Sequence, residues 1–456
     1  MADGSVVQVS HLLDERGFSG FHVKLLVWSL FIVFIDGYDI NAIAVAAPEL
    51  IKAWHVPPSA LVPVLTGSNV GVLFGSALFG FVGDRYGRKA ALIGSNLLFG
   101  IFTVLAAYST NLNELAWLRV IAGIGIGGVI PNVIALNAES APRRLRVTLA
   151  IIATGLVPIG GGLPGLVGRF LVPQYDWPII FLIGGIAPIV FGIVAIFGLP
   201  ESIKFMSLHD RYRGAMEKLV RAIRPDFQIP PNARYVIEDE KNYAGFSPKR
   251  LFGDGLALIT PLLWLVFALN LMGFFFLAAW TPTLLVTAAH VPAGTAFLVL
   301  TALQFGGSAG ALGLCRWIDR KRFLAVTVLF ALAVPVVASI GWFGVSSEAS
   351  VIVAAFVAGL LVLGIQSGIN VAGAMIYPTS LRANGSGWQL GIGRFGAILG
   401  PAIGGLLLGL PVEQLYMWAA IPFALGAVIC FIVYRLNEAR LKAMPAIGEG
   451  QAAAAE

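Results

Sequence analysis

The apolar residues of this 456-residue chain fall into runs close to 20 residues long, separated by short polar or Gly/Pro-rich breaks. As a helix, a run of that length crosses roughly 30 Å of hydrocarbon, so each reads as a membrane span. The runs lie at about 22–46, 61–82, 90–108, 114–137, 147–171 and 177–198, then at 258–281, 293–316, 322–342, 349–373, 386–410 and 415–434. The pattern therefore predicts twelve spanning helices in two groups of six. The polar first 20 residues, with Asp14, Glu15 and Arg16, lead into a run without a small-residue cleavage site, so they read as a tail and not as a removable signal peptide.

Composition agrees: 58% of residues are hydrophobic and 12% charged, against about 25% charged in soluble domains. A water-soluble protein is excluded. With only Cys315 and Cys430, both in apolar runs, neither a disulfide framework nor a metal cluster is expected. The formal net charge of +6 could suggest nucleic acid, but placement decides otherwise. All but four of the 30 Lys and Arg residues lie on one side of the twelve-span arrangement, the exceptions being Lys52, Arg119, Arg169 and Arg394. Cytoplasmic loops keep Lys and Arg, so both termini are expected in the cytoplasm and no nucleic-acid partner is needed.

The halves repeat at a fixed offset. Pro142 and Arg146 recur 236 positions later as Pro378 and Arg382, and Asp84-Arg85 recurs 235 later as Asp319-Arg320. The expected fold is an all-α membrane protein of two pseudo-symmetric six-helix bundles, with a substrate path at their interface. The expected divisions are a cytoplasmic tail over 1–21, bundles over 22–198 and 258–434, a charged cytoplasmic linker over 199–257, and a disordered tail over 435–456.

Between spans 2 and 3 stands Gly80-Phe-Val-Gly83-Asp84-Arg85-Tyr-Gly87-Arg88-Lys89. It resembles the cytoplasmic-loop signature of the major facilitator superfamily, G-x-x-x-D-R-x-G-R-[KR], at every fixed position. The glycines permit a tight turn, and one acid among bases can pair with a neighbouring helix end and release it. The resemblance implies a gating latch at Asp84 and Arg88, and the major facilitator fold. The second copy, ending in Asp319, Arg320 and Arg322, is degenerate.

Charges inside the spans are few. An Asp or Arg at a helix centre costs about 2.5–3.5 kcal/mol on insertion scales, so it persists where it is paired, faces water or works. Span 1 carries Asp36 and Asp39, three apart on one side of the helix. Two such carboxylates repel each other, so one must hold a proton or meet a cation, as a proton-coupling site requires. By helical rise, Arg119 lies about 7–8 Å below the outer surface and Asp39 near 10 Å, so Arg119 is expected to pair with Asp39 or Asp36, or with a bound anion. Arg394 lies near 12 Å from the cytoplasmic surface, and spans 7 to 12 hold no acid to pair with it. Its guanidinium fork fits a carboxylate.

Asp36-Gly37-Tyr38-Asp39, Gly391-Ile-Gly-Arg394 and Pro378…Arg382 together resemble the aromatic acid:H⁺ symporter family, from span 1 through span 11. The resemblance implies functional roles for Asp36, Asp39, Arg119, Glu139, Arg382 and Arg394. No counterpart of the family's histidine stands after the 8–9 loop, where Phe323 to Val326 are found. Phe31, Phe34, Tyr38, Phe274, Phe275, Phe276, Trp280 and Trp388 can stack an aryl ring, while Asn270, Gln304, Gln366, Asn370 and Gln389 can bond ring substituents. The expected activity is proton-coupled import of a small aromatic carboxylate of the benzoate type across a bacterial inner membrane, by a monomer without a cofactor. Gly396-Ala-Ile-Leu-Gly400-Pro401-Ala-Ile-Gly404-Gly405 points the other way, resembling a signature that drug:proton antiporters carry on their fifth helix. A proton-driven exporter is therefore the competing expectation, and a membrane sensor or enzyme the weakest.

Overall fold

Inside hydrocarbon every backbone N–H and C=O must be satisfied within the segment, so each apolar run forms a helix. The computed structural model describes residues 6–16, 18–223, 234–236, 248–253, 255–377 and 381–443. Among them, twelve helices are long and apolar enough to cross a membrane. They are α1 (Gly20–Trp54), α2 (Val62–Tyr86), α3 (Arg88–Ala106), α4 (Leu112–Ser140), α5 (Val157–Tyr175) and α6 (Pro178–Gly198), then α7 (Ile259–Thr287), α8 (Ala293–Gly313), α9 (Phe323–Ser346), α10 (Glu348–Ile376), α11 (Arg382–Leu407) and α12 (Val412–Ala443). The protein is a multi-pass membrane protein.

Several helices run past the hydropathy bounds, α1 to Trp54 and α7 to Thr287 among them, and two further departures change the expected elements. The fifth run divides into a short helix, Arg146–Thr154, and α5, because Pro158 cannot donate to the Thr154 carbonyl. The last helix continues to Ala443, so the first nine residues of the expected disordered tail are helical, and 444–456 lie outside the described residues. The linker and the amino tail also have structure of their own. Val6–Gln8 pairs in parallel with Arg234–Val236, and Val9, Leu13, Met206, Met216 and Val220 form a small apolar cluster beside the amino-terminal bundle.

The internal repeat is visible in the packing. Within the first bundle α1 packs on α5, α2 on α4 and α3 on α6; in the second, α7 packs on α11, α8 on α10 and α9 on α12. Gly71 and Gly75 let α2 lie against the α4 backbone at Val120 and Ile124, where any Cβ would collide. Between bundles, α5 meets α8, α1 meets α7 and α2 meets α11. These contacts run from mid-membrane to the end that carries the 55–61 loop: Gly165 lies on Phe297, and Gly405 on Val62.

Toward the opposite end, which carries the 84–88 loop, the bundles part. On α11, Gly387 and Gly391 share a face with Arg394 and have no atom within 4 Å of where a side chain would start. On α4, Ile126 is buried, Ile130 half-buried and Ile134 exposed, one turn after another along the same face. The interface is thus closed on one side of the membrane and open on the other.

Candidate functional site

The two acids of α1 have separate fates. Successive residues of a helix advance by about 100°, so positions three apart diverge by about 60°. That is enough to aim Asp39 at α4 and Asp36 at the interface between bundles. Arg119 Nη1 donates to both Asp39 carboxylate oxygens at 3.0 and 2.9 Å, and Nη2 donates to the Asp39 carbonyl at 3.2 Å. Thr103 Oγ1 from α3 donates to the same carboxylate at 3.0 Å. Arg119 and Asp39 are both fully buried, with the guanidinium carbon 5.8 Å from the Phe181 ring centre. A charge pair this enclosed persists only because the partners satisfy each other.

Asp36 has no such partner. Its side chain is 0% exposed, yet neither carboxylate oxygen accepts a hydrogen bond. It lines a narrow cavity between the bundles, with Arg394 of α11 facing it and Ser68, Asn69, Gly127 and Phe275 among the other walls. Arg394 is the cation that acts electrostatically on Asp36. Asn69 crosses the interface, its Nδ2 donating to the Ala397 carbonyl at 3.3 Å. That carbonyl is available because Pro401, four residues on, has no N–H to give it. The Gly/Pro stretch of α11 is therefore a packing and cross-bundle contact, with Gly396 on Ala268 and Gly400 on Met272.

Most of the other residues expected to touch substrate lie elsewhere. Tyr38 is two residues after Asp36, on a different side of α1, and its hydroxyl donates to the Ile180 carbonyl of α6 at 3.1 Å. Phe34 packs within the amino-terminal bundle, its carbonyl against Gly160. Asn270 Nδ2 donates to Gln366 Oε1 at 2.8 Å, so these two amides pair with each other inside the second bundle. Gln389 is buried against Gly373, Asn370 is exposed, and Trp388 is 45% exposed and stacks on Trp264 at 5.9 Å between ring centres. Of the expected substrate contacts, Arg394 and Phe275 line the cavity. Hydropathy marks a polar residue in a span but not the direction it faces, and packing set these directions.

At the open end, Arg88 gathers the 84–88 loop. Its Nη2 lies 2.6 Å from Asp84 Oδ1 and 2.8 Å from Glu139 Oε1. Glu139 thus belongs to this cluster and not to the acids of α1; it lies about 30 Å along α4 from Arg119 by helical rise. Ser202 Oγ donates to the other Glu139 oxygen. Glu201 accepts from the backbone N–H groups of Lys89 and Ser202 at 3.1 and 2.8 Å, and so caps the start of α3. Burial pushes the Glu201 carboxyl above its usual range, and the backbone donors of Ser202, Lys89 and Arg88 pull it partly back. Gly87 has φ +105°, and a side chain there would strike Glu201. Gly80 has open space around it, while Arg85 lies 5.9 Å from the centre of the Tyr86 ring. Arg382 opens α11 and Asp319 lies in the helix Cys315–Lys321, but their side chains fall outside the described residues.

Sequence reasoning passed over Ser68, Asn69, Thr103, Glu201 and Ser202. The first three had one signal, a small polar residue inside an apolar run. The last two sit where a span has ended and polar residues are ordinary.

A transporter is the class that this geometry defines, with two bundles, one cavity at their interface and access from one side. The chain belongs to the major facilitator superfamily, whose pattern matches residues 29–389, and to the aromatic acid:H⁺ symporter branch that its sequence resembles. It is 32% identical over 431 residues to a 4-hydroxybenzoate transporter of Pseudomonas putida, covering 93% of this chain and 95% of that one. It is 32% identical to a benzoate transport protein of Acinetobacter baylyi, covering 94% and 92%, and 30% identical to a gallate transporter of Pseudomonas putida, covering 97% of each. Among solved structures, a bacterial homologue of the lysosomal transporter Spinster superposes with a TM-score of 0.71 at 15% identity, covering 93% and 99%. A D-xylose–proton symporter superposes with a TM-score of 0.68 at 15% identity, covering 91% and 98%. At that identity these two speak for the fold alone.

Proposed function

We propose that the protein imports a small aromatic carboxylate together with a proton across a bacterial inner membrane, by alternating access of the central cavity. The observation that carries this is the buried, unbonded Asp36 carboxylate facing Arg394 across that cavity. In the empty site the acid and the guanidinium offset each other. A substrate carboxylate that takes Arg394 leaves Asp36 with an uncompensated charge in a low-dielectric space, which is costly. A proton on Asp36 removes the excess, so anion and proton travel together, one proton per monocarboxylate. The closed pair Arg119–Asp39 holds α1 on α4 and so positions Asp36, while the apolar walls and Phe275 suit an aryl ring. Relatives that carry 4-hydroxybenzoate, benzoate and gallate support the substrate class.

Purified protein in liposomes tests the reading. Inward accumulation of labelled benzoate or 4-hydroxybenzoate should require a pH gradient, acid outside, and should vanish when the gradient is collapsed. Accumulation that survives collapse, or export driven by an opposing gradient, would sink it.

A further inference from the structure

Three neutral polar features of the cavity have no task in proton coupling or in holding the carboxylate. Ser68 Oγ is buried in the cavity wall and has no hydrogen-bond partner. Asn69, next along α2, also lines the cavity, with its amide nitrogen committed to Ala397. Gly127 of α4 lines the same wall with backbone alone, and four residues on stands Pro131, which has no N–H to give the Gly127 carbonyl. A buried hydroxyl without a partner is unfavourable in apolar surroundings. The rest of this wall, including Leu65, Val72 and Ile126, is aliphatic.

A phenolic hydroxyl is one donor and one acceptor. A serine hydroxyl can take either role, and Ser68 presents an uncommitted one in the cavity wall. We propose that Ser68 recognises a hydroxyl on the substrate ring, so that the protein prefers hydroxylated benzoates to benzoate itself. This rests on the transport reading above and goes beyond it by naming a selectivity residue. A site built to bond a hydroxyl discriminates against a ligand without one, because its own polar groups are then left unpaired.

The test uses the full chain in liposomes, with labelled benzoate uptake competed by 3- and 4-hydroxybenzoate and by the methylbenzoates of the same shape. On the unsubstituted protein, one hydroxybenzoate should compete about tenfold better than its methyl isostere, as one well-made hydrogen bond predicts. Ser68→Ala should weaken that hydroxybenzoate about tenfold and leave benzoate within about twofold, and Ser68→Thr should restore the preference. Equal competition by hydroxyl and methyl isosteres overturns the proposal without needing any variant. So does a Ser68→Ala protein in which benzoate and hydroxybenzoate weaken alike. Absence of any aromatic acid uptake by the unsubstituted protein overturns the transport reading, and this one with it.

Discussion

Arg119 clasps Asp39 with both terminal nitrogens, one on the carboxylate and one on the backbone carbonyl, across an α1–α4 contact that excludes solvent entirely. Removing one partner strands a buried charge, which typically costs about 3–5 kcal/mol. Asp39→Asn and Arg119→Gln should therefore each lower the midpoint of thermal unfolding in detergent by several degrees and abolish uptake. The double substitution Asp39→Leu with Arg119→Met should recover much of the stability and none of the transport. A double variant no more stable than the singles would show that the pair contributes more than mutual neutralisation.

Asp36 makes no hydrogen bond, so Asp36→Asn removes a charge without breaking a contact. Net uptake driven by a pH gradient should be lost while exchange of internal for external substrate continues. Uptake assays run in both modes separate the two.

Arg394 is the cavity's cation and, on the proposed reading, the carboxylate ligand. Arg394→Lys keeps the charge but loses the fork that bonds both oxygens, so KM should rise about tenfold or more. Arg394→Gln should abolish uptake. An Arg394→Lys protein with unaltered KM would place the carboxylate elsewhere.

Gly87 occupies a left-handed backbone region, and its Cα lies against Glu201. Gly87→Ala adds backbone strain of about 1 kcal/mol or more, together with a collision. The expected outcome is a lower unfolding midpoint and slower uptake, measured on protein matched for amount.

Glu201 supplies a dependence on pH. Burial raises its carboxyl pKa in the folded protein, so folding disfavours the ionised form. Stability from this group is therefore greatest at low pH and falls as pH rises through the raised value. Glu201→Gln does not titrate, and one amide oxygen can still accept from the α3 backbone. Its unfolding midpoint relative to the unsubstituted protein should rise between about pH 4 and pH 8. A difference that stays constant over that range would remove Glu201 from the titration.

The number of spans, their pairing into halves and the short set of intramembrane charges were legible in the sequence, because hydrocarbon admits few charged groups and requires apolar runs of a set length. Asp84 and Arg88 of the loop signature pair with each other in the structure. Directions were not legible. Asp36 and Asp39 read alike along the chain, yet helical phase gives one to Arg119 and the other to the cavity. Asn270 and Gln366 looked like substrate contacts and instead bond each other, while Glu139 pairs with Arg88 and not with the acids of α1.

Composition and order alone thus determined that this is a twelve-span carrier and which few residues carry charge across its interior. Only the tertiary structure decided which of them face one another. That choice depends on how closely small residues such as Gly71 and Gly75 let helices approach, and on carbonyls such as that of Ala397, freed by Pro401 and claimed by Asn69 from the opposite bundle. Hydropathy records how much water a residue avoids, but not the angle at which its helix is turned.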